Sequence, residues 1–163
     1  MPAALRSALA LACVVVVAAC AKAQPNPEIM AAGKTFLAQN AHAPGVHVTA
    51  SGLQYKIIKS GPASGTPPRA TDEVKVNYEG KLLDGTVFDS TYQRGKPAVF
   101  GVSGLIPAWT EALQLMRPGD QWELVAPPEL AYGDAGAGPI PPGSVLKFKI
   151  ELVAVSPAGV GAN

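Results

Sequence analysis

The sequence predicts an α+β domain, an antiparallel sheet with one short helix packed across it, and two observations carry that prediction. Apolar and polar residues alternate in several segments, as they do in strands with one buried and one wet face. Between two of those segments lies one short run with helical spacing. A chain of 163 residues has room for one domain with a real core, and little room for two. The formal net charge of +1 gives no reason to expect nucleic acid as a partner. No internal repeat or coiled-coil heptad is present.

In chain order, MPAALRSALALACVVVVAAC has one basic residue, Arg6, and then an apolar run over residues 8–19. That run is shorter than the roughly 20 residues a spanning helix needs, so residues 1–19 read as a signal peptide. It closes in VAAC, which resembles the lipobox of bacterial lipoproteins, where cleavage precedes the Cys and its thiol is acylated. Cys13 would leave with the signal, so Cys20 is the only thiol of the mature chain and no intramolecular disulfide is possible. Lipidation at Cys20 is its expected use, giving a membrane anchor stabler than a single acyl chain provides. By the sorting habits of such lipoproteins, Ala21 rather than Asp after the Cys favours the outer membrane, facing the periplasm. An ordinary secretory signal would instead leave the protein soluble in the periplasm or secreted.

Residues 20–27 read as a tether and residues 28–50 as a short helix and linker. Ile29, Met30, Gly33, Phe36 and Leu37 recur at helical spacing, with Asn26 as cap, Pro27 at the first position and Glu28 in the first turn. HAPGVHVTASG breaks that helix, and LQYKIIK is the first strand candidate. The folded domain is expected over residues 51–156, with a flexible tail at 157–163. Within it Val74, Val76 and Tyr78 face opposite to Lys75, Asn77 and Glu79, and Leu146, Phe148, Ile150 and Leu152 alternate with Lys147, Lys149 and Glu151. QWELVA is a further strand, and the Asp84-Gly85 pair of LLDGTVF favours a tight reversal. In IPAWTEALQLM, Trp109, Leu113 and Met116 lie at helical spacing, Pro107 suits a first helical position, and RPGD stops the helix.

Standard catalytic machinery is missing. The only histidines, His42 and His47, sit in the break before the first strand candidate and read as solvated linker residues. No HExxH, CxxC, Walker loop or GxSxG occurs, so no metal or cofactor is expected. The glycines of GDAGAG do not follow a strand and open a helix, which makes a dinucleotide site a poor reading. Any site has to be built from aromatic walls.

VKVNYEG, GTVFDSTYQRGKP, VSGLIPAWTEALQLM, ELAYG, GPIPPG and VLKFKIEL occur in that order, and together they resemble the FKBP-type peptidyl-prolyl cis-trans isomerase family over residues 53–155. The resemblance implies a curved antiparallel sheet wrapped around one short α-helix, preceded here by a short N-terminal helix. GKTFLAQNAHAPGVHVTASGLQYKII is similar to the Mip-like bacterial branch, at the end of its linking helix. The long dimerising segment of that branch is not visible, which points to a monomer. Carried over by motif position, the resemblance implies catalytic roles for Tyr78, Asp89 and Tyr132. It implies substrate binding by Phe88, Arg94, Leu105, Ile106, Trp109, Ile140 and Phe148. Taken singly, Trp109, Phe148 and Tyr78 would read as core and Asp89 with Arg94 as a surface pair; their joint order points to a pocket.

The implied activity is isomerisation of X-Pro bonds in proline-containing polypeptides, assisting the folding of exported proteins, with macrolides of the FK506 and rapamycin type as inhibitors. The alternative is an FKBP-like peptide-binding or chaperone module with little turnover. Three departures bear on peptide preference: Ala98 stands where many short family members have an aromatic lip, Ala108 replaces a common Gly, and the loop over residues 133–141 is one residue shorter, with Ala137 near where some members carry His.

Overall fold

A computed structural model describes residues 24–158. The expected signal peptide, Cys20 with the rest of the first half of the tether, and the end of the tail lie outside the described residues. Helix α1 (Pro27–Asn40) starts as expected: the Asn26 side chain accepts from the Glu28 amide at 2.8 Å, and Pro27 occupies the first turn. Among the described residues no helix is long and apolar enough to cross a membrane.

Seven strands form one antiparallel sheet: β1 (Val46–Val48), β2 (Gln54–Lys59), β3 (Glu73–Lys81), β4 (Val87–Ser90), β5 (Ala98–Gly101), β6 (Gln121–Ala126) and β7 (Leu146–Ser156). Their order is β1-β2-β6-β7-β3-β4, and β5 pairs with the first half of β3. The segment before LQYKIIK is therefore not wholly linker: Val46, His47 and Val48 pair with Lys56, Tyr55 and Gln54. Three residues with a single apolar-polar alternation are too short for periodicity to reveal, and the neighbouring strand supplies the missing order. His47 is exposed as expected, but it stacks on Tyr55 with ring centroids 5.0 Å apart.

The alternation expected for β3 and β7 holds, with Val74, Val76, Tyr78, Leu146, Phe148, Ile150 and Leu152 all buried. These residues close over helix α3 (Pro107–Leu113), which buries Ala108, Trp109, Ala112 and Leu113, and over Met116 just beyond it. β6 breaks the pattern because Val125 is buried on the face opposite Trp122 and Leu124. Its register partner Gln54 donates from Nε2 to the Leu37 carbonyl at 2.9 Å and accepts from Asn40 Nδ2 at 2.8 Å, so the end of α1 covers the outer face here.

The reversal at Asp84-Gly85 joins β3 to β4. Gly85 has φ +90°, a conformation L side chains rarely adopt, and Asp84 Oδ1 accepts from the Thr86 amide at 2.8 Å. It places Phe88 and Asp89 beside the core end of β3. Helix α2 (Thr91–Arg94) follows, capped by Ser90, and turns Arg94 back toward Asp89.

Candidate functional site

Between the sheet and α3 lies an open cavity of about 350 Å³, within the range of small-ligand sites. Trp109 is its deepest member at 4% exposure, the consequence of its place in the first turn of a helix packed inside a curved sheet. Its indole is ringed by edges: Tyr78 at 4.9 Å and 87°, Phe148 at 5.5 Å and 87°, and Phe100 at 6.1 Å and 83° between ring centroids and planes. Phe88 stands edge-on to Phe148 at 5.8 Å. Edge-to-face contact is an arrangement aromatic rings favour, so each ring supports the orientation of the next.

Glycine is required behind this wall. Gly80 pairs with Phe148 and Asp89 across the sheet, and a Cβ there would lie 2.6 Å from the Phe88 ring and 3.0 Å from that of Phe148. The absent side chain lets two aromatic rings settle onto the strand.

Polar groups collect on one side. The Tyr78 hydroxyl donates to Asp89 Oδ2, Arg94 donates to Asp89 Oδ1, and Arg94 Nη2 donates to the Tyr78 hydroxyl at 3.1 Å. Burial pushes the Asp89 carboxyl up, but the hydrogen bonds from Tyr78 and Arg94 and the guanidinium charge outweigh it, so Asp89 is held below the usual carboxylate range. Burial and the Asp89 carboxylate both push the Tyr78 phenol up, which keeps it protonated and donating.

Besides the buried Trp109 indole N–H, two further donors are unengaged. The Ile106 amide, at the N-cap of α3, and the Tyr132 hydroxyl have no partner among the described residues, and both residues line the cavity. Tyr132 stands at the rim with 39% exposure. The cavity can thus take an apolar ring against Trp109 while holding flanking carbonyls at its edge.

The lining unites Tyr78, Phe88, Asp89, Leu105, Ile106, Trp109, Tyr132 and Phe148 from three strands, a helix and two loops. Two expected residues stand apart from it. Arg94 is exposed and reaches the site through Asp89 and Tyr78. Ile140 is buried in the core, in the loop where Ala137 and Ile140 bridge. Sequence reasoning missed Phe100 and Gly104 in the lining. Phe100 had a signal, being two residues from Ala98 and so on the same strand face. Gly104 has no side chain to mark it, and only the loop path brings it to the rim.

The family profile described as "FKBP-type peptidyl-prolyl cis-trans isomerase" matches residues 64–153, and the one described as "Domain amino terminal to FKBP-type peptidyl-prolyl isomerase" matches residues 12–57. An FKBP-type 22 kDa peptidyl-prolyl cis-trans isomerase of Escherichia coli is 53% identical over 77% of this chain and 60% of its own length. The outer membrane protein MIP of Legionella longbeachae is 52% identical over 84% of this chain and 57% of its own. The chain spans a little over half the length of these curated relatives. Among solved structures, FkpA from Escherichia coli matches with a TM-score of 0.77 and 44% identity over 80% of this chain and 61% of that one. A peptidyl-prolyl cis-trans isomerase from Pseudomonas syringae matches at 0.74 and 40% identity, over 82% of this chain and 97% of that one. With the expected strands, the helix inside them and these matches together, the chain belongs to the FKBP-type peptidyl-prolyl cis-trans isomerase family.

Proposed function

We propose that this protein catalyses cis-trans isomerisation of X-Pro bonds in exported polypeptides, as a lipoprotein of the bacterial cell envelope anchored through Cys20. The observation that carries the reaction is an aromatic cavity floored by Trp109 with two unengaged donors at its edge. The X-Pro barrier of roughly 18–20 kcal/mol comes from amide resonance, and no covalent bond changes during rotation. The planar amide is the charge-separated form. A pocket that strips water from its carbonyl therefore disfavours the ground state relative to the twisted transition state. Lowering the barrier by about 5 kcal/mol accelerates rotation by between three and four powers of ten.

In this reading Trp109, Phe148, Tyr78, Phe88 and Leu105 hold the pyrrolidine ring, and Ile140 supports that wall from the core. The Tyr132 hydroxyl and the Ile106 amide hold the flanking carbonyls. Asp89, oriented by Tyr78 and Arg94, faces the rotating carbonyl and its carbon. Its negative charge favours the carbonyl carbon's loss of electron donation from nitrogen as the bond twists.

A protease-coupled assay on Pro-containing tetrapeptides tests this, with rapamycin as competitor. Acceleration that Trp109→Ala reduces at least tenfold is the expected result. Binding of such peptides without acceleration would instead make the chain a binding module. For the envelope location, the name of the Legionella longbeachae relative, an outer membrane protein, points the same way as the VAAC motif. Metabolic labelling with a fatty acid should mark the wild type and not Cys20→Ala; an unlabelled wild type refutes the anchor.

A further inference from the structure

On the sheet face opposite the aromatic cavity, a groove of about 390 Å³ runs between the strands and the α1–β1 connection. Its floor carries Lys56, Lys81, Lys147 and Lys149, with Glu79 and Glu123 as the acidic members. The register sets Lys81 directly opposite Lys147, while Lys149 stands opposite Glu79 on β3 and Glu123 on β6, and Lys56 opposite Glu123, so the face sets four lysines against two carboxylates. Like charges directly opposite destabilise a sheet, and the excess of lysine on this face is left for solvent or a partner to offset.

The internal compensation is incomplete. Glu79 Oε1 lies 2.6 Å from Lys81 Nζ, which commits that carboxylate, and Lys147 rests over the Phe36 ring at 5.6 Å. Among the described residues no carboxylate lies within 4.0 Å of the ammonium of Lys56, Lys147 or Lys149. Lys147 and Lys149 are exposed and point the same way, two residues apart on β7, a spacing of roughly 7 Å along the strand. An extended chain with carboxylates at alternate positions repeats at that same distance.

We propose that this groove docks an extended acidic segment of a polypeptide partner, with carboxylates on Lys147 and Lys149. A flat anionic membrane is a poorer match, because the α1–β1 connection walls the groove on one side and admits a narrow segment more readily than a plane. A bound segment would lie behind the sheet, leaving the Trp109 cavity open.

The test uses the full mature chain and a fluorescein-labelled, proline-free peptide of alternating Glu and Thr, with a Lys-Thr peptide as control. Anisotropy should show saturable binding of the Glu peptide alone, weakened by added salt. Lys147→Glu/Lys149→Glu should weaken it at least tenfold, and Lys147→Gln/Lys149→Gln by an intermediate factor, with melting temperatures near wild type. Tyr132→Phe, which alters the cavity rim without loss of packing, should bind the Glu peptide as wild type does, and saturating Glu peptide should leave turnover on short prolyl substrates unchanged. Equal binding by the lysine variants, or loss of binding in Tyr132→Phe, overturns the proposal. So does lysine-dependent sedimentation with phosphatidylglycerol vesicles when the Glu peptide does not bind. These readouts do not require isomerase turnover, so failure of the isomerase reading and failure of the groove are told apart.

Discussion

Trp109 shows how one residue can serve packing and site together. Three aromatic edges meet it, and its outward face is the floor of the cavity. Its truncation should therefore cost both stability, by about 3–5 kcal/mol, and turnover, which a melting curve beside the coupled assay would register. Tyr132→Phe removes a single rim donor and no packing. It should lower kcat/KM by roughly threefold to tenfold at unchanged melting temperature, since a hydrogen bond is worth about 0.5–1.5 kcal/mol. The Tyr78, Asp89 and Arg94 network predicts the pH profile. A carboxylate held below its ordinary value of about 3.9 stays charged above that value, and its contribution is lost only as pH falls through the lower folded-state value. The phenol, raised above about 10, stays protonated through neutral pH and loses its proton only in strong base. Turnover should thus be flat from about pH 5 to pH 9. A bell centred near neutrality would show that neither group governs the reaction.

At the scale of elements, the site depends on how β3, β4 and α3 close on one another. Gly80 is the tightest point, since Phe88 and Phe148 occupy the space of its missing side chain. Gly80→Val should displace Phe88, cost about 1–3 kcal/mol from overpacking, and reduce kcat/KM at least tenfold. Gly85→Ala, in the hairpin tip with nothing within 4 Å of a Cβ, should lower stability through its positive φ and leave kcat/KM near wild type. Comparing denaturant midpoints with kinetics for the two variants separates crowding at the cavity from strain at a turn.

Over the whole molecule, the sheet presents two faces with different work. The inner face holds α3 and the cavity, while the outer face carries α1 at one end and the lysine groove beside it. Gly33 lets α1 sit close, because a Cβ there would be 2.8 Å from Val145. Gly33→Leu should loosen α1, visible as faster amide exchange over residues 27–40, with turnover on short peptides unchanged because the cavity lies on the other face. The period-2 alternation of β3 and β7, the cap of α1 and the Pro107 start of α3 could be read directly, because each is written in neighbouring residues, whereas α3 ends at Leu113, short of the expected RPGD stop. The residue types of the cavity were readable only as ordered motifs, and the roles proposed for them rest on that resemblance. Strand β1, the burial of Val125, the placing of Phe100 and Gly104 at the cavity and the facing of Lys81 and Lys147 were not legible in that way. By itself the sequence determined that an antiparallel sheet would close over one short helix, since apolar periodicity is a local property. Only the tertiary structure decided which side chains meet across strands distant in the chain, because register and helix docking depend on contacts that no single segment contains.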